Sequence, residues 1–470
     1  MENEFKYSSI YFVGAGGIGM AALERYFLAK GCRVAGYDRT RTALTDALAS
    51  EGVEIFYEED ATLIPDYCRD PQSTLVVYTP AIPDDHAGLQ YFRQGGFKVV
   101  KRAELLGIVT QGSRGLCFSG THGKTTTSSM AAHILHCSPI GCNAFLGGIL
   151  RNYDSNFLLD NNSQYTVVEA DEYDRSFHHL RPYIAVVTAT DPDHLDIYGT
   201  EEAYLESFAH FTELVVPGGA LIVKEGIKLK PRPVDGVRVY SYSRDSGDFH
   251  AANVRKGNGE IHFDFVAPGG VEIKDINLGV PVDVNIENAV AAMAVCYLVG
   301  VEADVMRDAI SSFLGAKRRF EFWLKGDDKY GHVLIDDYAH HPEEIRASIL
   351  SVRDLYPGRK LTVIFQPHLY SRTRDFASQF ADALSLADEV MILDIYPARE
   401  EPIPGVTSEI ISDAFKCRKA RILCDKRDMV DVMRSREYEH EVDVVLTVGA
   451  GDISNYLPRL CKVLTHQEAW

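Results

Sequence analysis

Short apolar runs separated by polar, helix-compatible segments recur along most of the chain. The clearest runs are residues 9–13, 33–37, 74–78, 165–168, 183–190, 333–335, 361–365, 390–393 and 442–448. Continuously apolar runs of this length are typical of buried strands in parallel sheets. Alternation of such strands with helices predicts an α/β fold built from open, mostly parallel sheets.

One region departs from this pattern. Residues 237–242, 261–266 and 271–273 alternate between apolar and polar positions, and glycine turns separate them. Alternation with turns predicts a small, antiparallel sheet appended to the central parallel one. An alanine-rich helix should follow, beginning near residues 285–288 and ending near residue 299.

At 470 residues the chain is too long for one ordinary core, and about three domains are expected. Glycine-bearing polar stretches near residues 110–115 and 315–320 mark the two boundaries. We therefore predict a Rossmann-like domain over residues 1–110. A central P-loop ATPase-like domain over residues 111–315 and a second Rossmann-like domain over residues 316–470 complete the plan.

Charge and cysteine usage narrow the class of protein. A formal net charge of −19 argues against nucleic acid or an anionic membrane surface as the main partner. Nine scattered cysteines without a CxxC pair fit reduced thiols in a cytoplasmic protein. The first residues do not form a signal peptide, and no run of about 18 apolar residues predicts a membrane span.

The strongest chemical signal is a glycine turn between a predicted strand and a predicted helix. It comprises Gly120, Thr121, His122, Gly123, Lys124, Thr125 and Thr126. Backbone N–H groups at such a turn favour an anion, Lys124 would reach the β- and γ-phosphates, and Thr125 would hold Mg²⁺. Phe118 replaces the glycine that the full motif has six residues before the lysine, so this is a variant loop. The alternative is a structural turn with an exposed lysine.

Two later strands end in acidic segments, residues 169–174 and 191–196. Because parallel strands end at the same edge of a sheet, both segments should lie near Lys124. Mg²⁺ prefers oxygen ligands, and Glu169 is the best carboxylate because it comes first after its strand. His194 could coordinate a second cation or orient its water. The alternatives are a solvated acidic loop and a structural histidine.

The first strand leads into a GxGxxG turn, formed by Gly14, Ala15, Gly16, Gly17, Ile18 and Gly19. The next strand ends in Asp38, which suits a ribose hydroxyl. The same backbone would accept NAD, FAD or the pyrophosphate of a nucleotide sugar, and a purely structural turn is the alternative.

In the third domain, histidines and arginines follow two adjacent strands, in residues 336–343 and 366–374. This concentration is unusual in so acidic a chain and suits a carboxylate or a phosphate. Helix caps and surface charges are the alternative.

Seven segments together resemble the Mur ligase family, the ATP-dependent amide-forming enzymes of bacterial cell-wall synthesis. They are GTHGKTTT (120–127), EADEYD (169–174), DPDHLD (191–196), NIEN (285–288), AKRRFE (316–321), DDYAHHP (336–342) and FQPHLYSRTRDF (365–376). They occur in order over nearly the whole chain. With GAGGIGM near the start, the chain is most similar to the members that join L-alanine to UDP-N-acetylmuramate, and the segment 365–376 is especially characteristic of them.

The resemblance implies a role for each matching residue. Gly14–Gly19 would cradle the UDP pyrophosphate. Gly120–Thr126 would bind ATP, with Thr125 and Glu169 on Mg²⁺ (Mn²⁺ being an alternative metal) and His194 at a second cation. Three further roles follow from the resemblance: Asn285 would contact adenine, Arg319 and Asp337 would complete the ATP site, and the alanine and muramyl end would be held by His340, His368 and Arg372.

Three positions depart from the family pattern. Val284 stands where a histidine often precedes the adenine-contacting asparagine, and Leu369 stands where an arginine is frequent. Phe208 occupies the place of a modified lysine in several relatives that add other amino acids, which fits the alanine-adding members. It leaves open what supports the second cation.

These observations predict a ligase that activates the lactyl carboxylate of UDP-N-acetylmuramate as an acyl phosphate, for attack by L-alanine. A ligase that recycles a whole peptide onto the same UDP-sugar is the second interpretation. An NAD-dependent oxidoreductase, from the GxGxxG turn, and a non-catalytic nucleotide-binding regulator are the others. The oligomeric state and the choice among alanine, serine and glycine are not predicted.

Overall fold

A computed structural model of the chain describes residues 6–79, 82–192, 195–257, 259–326, 331–398, 400–416, 420–438 and 441–467. Its contacts divide the chain into two compact units. The first unit comprises residues 1–252, 265–273 and 287–310, and the second comprises residues 253–264, 274–286 and 311–470. No helix in the described part of the chain is long and apolar enough to cross a membrane.

The first sheet has five parallel strands in the order β3-β2-β1-β4-β5. Its strands are β1 (Ser9–Val13), β2 (Arg33–Tyr37), β3 (Glu54–Phe56), β4 (Thr74–Tyr78) and β5 (Lys98–Lys101). Its helices are α1 (Ile18–Ala29), α2 (Ala43–Glu51), α3 (Ala87–Gln94) and α4 (Arg102–Gln111). The strand order reverses between β1 and β4, so their carboxyl ends open a crevice at the glycine turn after β1.

The second sheet has seven strands in the order β12-β11-β10-β6-β9-β7-β8. They are β6 (Arg114–Ser119), β7 (Asn143–Leu150), β8 (Ser155–Leu158), β9 (Tyr165–Glu169), β10 (Pro182–Val187), β11 (Ala220–Lys224) and β12 (Arg238–Tyr242). Only β8 pairs antiparallel, with β7. The helices of this region are α5 (Lys124–Cys137), α6 (Leu195–Tyr198) and α7 (Glu201–Glu213).

The prediction for residues 237–242 was wrong. Residues 238–242 form β12, which pairs parallel with β11, with Arg238 opposite Ala220. The small sheet consists instead of β13 (His250–Gly257), β14 (Glu260–Ala267) and β15 (Val271–Asn277). The connection between β14 and β15 is too short for a parallel crossover, so that pair is antiparallel as predicted. An edge strand covered on one face alternates just as an antiparallel strand does, which explains the error.

Two helices follow the small sheet, α8 (Asp283–Leu298) and α9 (Ala303–Ser312). The third large sheet has the order β16-β17-β21-β18-β19-β20, with β16 antiparallel to β17 and the others parallel. Its strands are β16 (Glu321–Lys325), β17 (Val333–Asp337), β18 (Leu361–Phe365), β19 (Glu389–Leu393), β20 (Ala420–Cys424) and β21 (Val444–Val448). Its helices are α10 (Pro342–Leu355), α11 (Tyr370–Leu384), α12 (Glu409–Asp413), α13 (Met429–Tyr438) and α14 (Leu457–Leu464).

Three large, mostly parallel sheets with helices between their strands therefore confirm the predicted α/β fold class. The first two sheets lie in the first compact unit, and the third lies in the second. Central strands β1, β18 and β21 are buried along their whole length, as their apolar runs predicted. Strand β6 begins at Arg114, a few residues after the predicted boundary at residue 110. The exact domain boundaries stay predictions.

Candidate functional site

The phosphate-binding loop predicted from the sequence connects β6 to α5. Gly120 (φ +139°) and Gly123 (φ +83°) both adopt the left-handed conformations that favour glycine. Gly120 lies close to the end of the neighbouring strand β10. A β-carbon at Gly120 would lie 2.2 Å from Oγ1 of Thr188, the residue that follows β10. Gly123 caps α5, and Lys124 is the first residue of the helix. The loop thus presents the N-terminus of α5, where an anion is favoured.

The Lys124 ammonium is held by the protein itself. Its Nζ donates to the carbonyl oxygen of Gly120 (2.7 Å) and to both carboxylate oxygens of Glu172 (2.8 and 3.0 Å). The Glu172 side chain is only 1% exposed, and burial raises its pKa. Lys124 opposes that shift, because an adjacent cation favours the ionised carboxylate.

The two residues predicted to hold Mg²⁺ lie side by side. Thr125 Oγ1 donates to Glu169 Oε1 (2.9 Å), and the backbone N–H of Gly147 donates to Glu169 Oε2 (2.9 Å). Burial raises the pKa of Glu169, so a cation at this carboxylate would relieve an unfavourable environment. A hydroxyl and a carboxylate at the end of β9 are the oxygen ligands that Mg²⁺ takes beside a phosphate, and they fit this ion. His194 lies outside the described residues.

Neighbouring side chains fix the loop in place. Thr121 donates through Oγ1 to the carbonyl oxygen of Asp191 (2.8 Å). On the helix side, Thr127 donates through Oγ1 to Asn288 Oδ1 (3.2 Å). His122 is exposed. The acidic segment after β10 therefore contacts the glycine loop, as expected for segments that follow neighbouring parallel strands.

The GxGxxG turn after β1 uses several of its own N–H groups internally. Those of Gly14 and Ala15 donate to the carbonyl oxygen of Tyr37, and that of Gly16 donates to Asp38 Oδ2 (2.7 Å). The other oxygen of Asp38 accepts from the N–H of Thr40 (2.9 Å). Asp38 therefore closes the turn, and its predicted contact with a ribose stays a prediction.

The start of α1 leaves donors for an anion at Gly17, Ile18 and Gly19, because the first N–H groups of a helix have no partner within it. These residues line a cleft of about 280 Å³. Glu169 and Asp171, from the second sheet, line the same cleft. The glycine turn and the predicted metal ligands thus face one space within the first unit.

Arg102, the first residue of α4, also lines this cleft. A β-carbon at Gly19 would lie 2.8 Å from Arg102 Nη1, so the guanidinium lies against the glycine turn. Among the described residues it has no hydrogen-bond or ion-pair partner. Sequence reasoning missed it, because one arginine at a helix start is no motif. A partly buried arginine without a partner beside a helix N-terminus suits a phosphate or a carboxylate.

In the second unit, Arg318 and Arg319 have different tasks. Arg318 donates to Asp336 and to the carbonyl oxygens of Gly449 and Gly451, and it adopts a left-handed conformation (φ +59°). Burial raises the pKa of Asp336 to about 6. Arg319 is exposed, 5.7 Å from the centre of the Tyr338 ring. Arg318 is thus structural, and Arg319 is available for an anionic ligand.

Asp337 accepts from the Ser348 hydroxyl and from the N–H of Phe320 (3.3 Å), and burial raises its pKa. Asn285 is buried, and its side-chain amide donates to the carbonyl oxygen of Val280 (3.2 Å). Both residues have structural contacts in the second unit. Their predicted contacts with ATP stay predictions.

The predicted alanine-binding residues come together in the second unit. The His340 and His368 rings are 6.1 Å apart, and Arg372 Nη1 lies 3.4 Å from His368 Nδ1. His340 donates through Nδ1 to the carbonyl oxygen of Tyr338 (2.9 Å), which leaves Nε2 as the acceptor. Burial lowers the pKa of His340, so its ring is neutral near pH 7.

The three departures from the family pattern have distinct surroundings. Phe208 is fully buried against the rings of Phe177 (5.2 Å) and Tyr204 (5.1 Å), so an aromatic core fills that place. Leu369 precedes α11 in a left-handed conformation (φ +69°). Val284 is 58% exposed in the first turn of α8.

Comparison with known proteins finds relatives along the whole chain. Three family profiles match in order: "Mur ligase family, catalytic domain" over residues 9–114, "Mur ligase middle domain" over residues 118–296 and "Mur ligase, glutamate ligase domain" over residues 318–451. A UDP-N-acetylmuramate–L-alanine ligase of Phocaeicola vulgatus is 57% identical over 456 residues, 97% of this chain and 98% of the relative. One of Porphyromonas gingivalis is 51% identical over 461 residues, 96% of this chain and 99% of the relative.

Solved structures give the same fold. The crystal structure of a UDP-N-acetylmuramate–alanine ligase of Thermotoga maritima has a TM-score of 0.77 and 27% identity, covering 98% of this chain and 100% of that chain. The structure of a murein peptide ligase of Psychrobacter arcticus has a TM-score of 0.60 and 22% identity, covering 98% of this chain and 100% of that chain. At this identity the two proteins share the fold alone.

The loop geometry predicts that Gly120→Ala is strongly destabilising. The new β-carbon would overlap Thr188 Oγ1 and lie 2.7 Å from the backbone nitrogen of Ala189, in addition to the cost of the left-handed backbone. We expect a loss of roughly 3 kcal/mol. Gly257→Ala is the control, because Gly257 has a comparable backbone (φ +155°) with no atom within 4 Å, and only the backbone cost of about 1–2 kcal/mol is expected there. Urea unfolding measures both, and equal losses would contradict the close-approach argument.

Proposed function

This chain belongs to the Mur ligase family, and we propose that it is an ATP-dependent ligase that joins L-alanine to the lactyl carboxylate of UDP-N-acetylmuramate, in peptidoglycan precursor synthesis. The observation that carries the proposal is 57% identity to such a ligase over 97% of the chain. The arrangement of Lys124, Thr125 and Glu169 at one strand edge supports it, because a phosphoryl-transfer enzyme needs these groups together.

The chemical task is to form an amide from an unreactive carboxylate. The lactyl carboxylate attacks the γ-phosphorus of ATP, and ADP leaves. The amine of L-alanine then attacks the carbonyl carbon of the acyl phosphate, and inorganic phosphate leaves as the amine loses a proton. No side-chain nucleophile is needed, so positioning and electrostatic stabilisation carry the catalysis.

Lys124 and the N-terminus of α5 would stabilise negative charge on the phosphoryl group. Thr125 and Glu169 would hold Mg²⁺, which neutralises charge on the phosphate oxygens when bound. The donors at Gly17–Gly19 and the Arg102 guanidinium would hold the pyrophosphate of the UDP-sugar. We assign L-alanine to the cluster of His340, His368 and Arg372, which offers a cation for its carboxylate.

We place the reaction in the cytoplasm. The eight cysteines that the structure describes are all free, as in proteins of a reducing compartment. ATP is available there as well.

Three measurements test the proposed function against its alternatives: phosphate release, NADH oxidation and nucleotide binding. Phosphate release from ATP is measured with UDP-N-acetylmuramate and L-alanine, L-serine, glycine or the recycled peptide, and the product is identified by mass spectrometry. Release that needs L-alanine and gives its amide supports the proposal. Release with the peptide alone selects the recycling ligase, NADH turnover selects an oxidoreductase, and nucleotide binding without turnover selects a regulator.

Lys124→Ala should lower kcat by at least about a thousandfold, because the charge that develops on the phosphoryl group loses its cation. The Kd for UDP-N-acetylmuramate, measured by calorimetry without ATP, should change little. Lys228→Ala is the control, since Lys228 pairs with Glu201 at the exposed surface of the same unit. Undiminished kcat in Lys124→Ala would exclude the role assigned to this lysine.

Arg102→Ala should raise the KM for UDP-N-acetylmuramate about tenfold or more, since a charge-assisted contact with the pyrophosphate is lost. Arg102→Lys should recover part of the loss, because lysine keeps the charge without the planar fork. Arg93→Ala, a change in the neighbouring α3 that removes a surface pair between Arg93 and Asp84, should leave KM unchanged. An unchanged KM in Arg102→Ala would refute the assignment.

A further inference from the structure

Glu172 is a buried carboxylate that none of the roles above uses. It lies in the acidic segment after β9, three residues beyond the predicted metal ligand Glu169, and its side chain is 1% exposed. Both of its oxygens accept from Lys124 Nζ, at 2.8 and 3.0 Å. Glu169 has different partners, Thr125 and Gly147. The two carboxylates of this segment therefore act on different groups.

The three N–H donors of the Lys124 ammonium are all engaged. One donates to the carbonyl oxygen of Gly120 (2.7 Å), and the other two donate to Glu172. A lysine ammonium has three donors and no more. A phosphate oxygen can therefore bind Lys124 only by displacing one of these acceptors.

The backbone that carries Glu172 is anchored by its own contacts. Its carbonyl oxygen accepts from the Tyr198 hydroxyl (2.5 Å) and from the N–H of Arg175 (3.0 Å). Asp174 and Arg175, just after it, both have left-handed backbones (φ +51° and +55°). Lys101 pairs with Asp174 at 2.9 Å. Conformations of this kind persist only where surrounding contacts hold them, so the backbone that carries Glu172 is rigid.

We propose that Glu172 is a positioning residue that competes with nucleotide phosphates for Lys124. It holds the ammonium over the loop before nucleotide binds, and binding costs at least one of the two hydrogen bonds between them. The affinity for nucleotide is thereby lower than the lysine alone would give, which favours release of ADP after each turnover. This inference rests on the proposed function, since it takes the loop as the nucleotide site.

Binding of Mg²⁺–ADP, measured by calorimetry, tests the inference without turnover. In Glu172→Gln the carboxylate no longer competes, and the Kd should fall about tenfold. Lys124→Met should raise the Kd. When Glu172→Gln is combined with Lys124→Met, it should not lower the Kd further, because the lysine for which carboxylate and phosphate compete is absent. Glu206→Gln, which alters an exposed pair with Arg232, is the control and should leave the Kd unchanged.

The double-mutant cycle separates competition from simple repulsion between Glu172 and the phosphates. Tightening of equal size with and without Lys124 would overturn the proposal, and so would an unchanged or weakened affinity in Glu172→Gln. If that variant does not fold, Glu172→Asp serves: its shorter carboxylate should loosen the contact and lower the Kd by a smaller factor, and a higher or unchanged Kd would overturn the proposal. An unaltered Kd in Lys124→Met would instead refute the nucleotide site itself.

Discussion

The parallel order of β10, β6 and β9 is the constraint on which the candidate site depends. Parallel neighbours end at the same edge of a sheet, and this brings three sequence-distant groups to one point. The loop at Lys124 follows β6, Glu169 ends β9 and Thr188 follows β10. The central strand, β6, leads into the predicted phosphate loop. Its neighbours provide the carboxylate and the residue against which Gly120 packs. A strand out of order would separate the lysine from the predicted metal ligands.

Because charged groups are buried at this edge, the stability of the protein is sensitive to the loss of either partner of an ion pair there. Glu172 and Lys124 form an ion pair with little access to water, and the loss of one partner from such a pair typically costs about 3–5 kcal/mol. The pair is therefore weak evidence for stability, but it fixes where the ammonium points. Arg102 differs, because its guanidinium has no ionic partner among the described residues and remains available to a ligand. The site thus contains one cation that is already neutralised and one that is not.

Much of the fold could be predicted, because a short apolar run marks each buried parallel strand. β1, β2, β4 and β18 begin and end with their runs. Edge strands such as β8 and β20 carry weaker patterns and were missed, and β12 was assigned to the wrong sheet. The predicted phosphate loop and Glu169 could be placed together from the sequence, because each follows the end of a predicted parallel strand. Glu172, Arg102 and Asn288 could not, because their importance depends on burial and on distant contacts that no local pattern contains.

Backbone strain lies next to the charged residues of both units, and this has a physical reason. Left-handed backbones follow Glu172 at Asp174, flank Arg319 at Arg318 and precede Arg372 at Leu369. Each costs about 1–3 kcal/mol and needs contacts that hold it. Those contacts are present: Lys101 pairs with Asp174, Arg318 has several acceptors, and the N–H of Leu369 donates to the carbonyl oxygen of Tyr396. A charge stabilises a transition state best when it needs no reorganisation during the reaction. A strained but well-anchored loop meets that requirement better than a relaxed and mobile one.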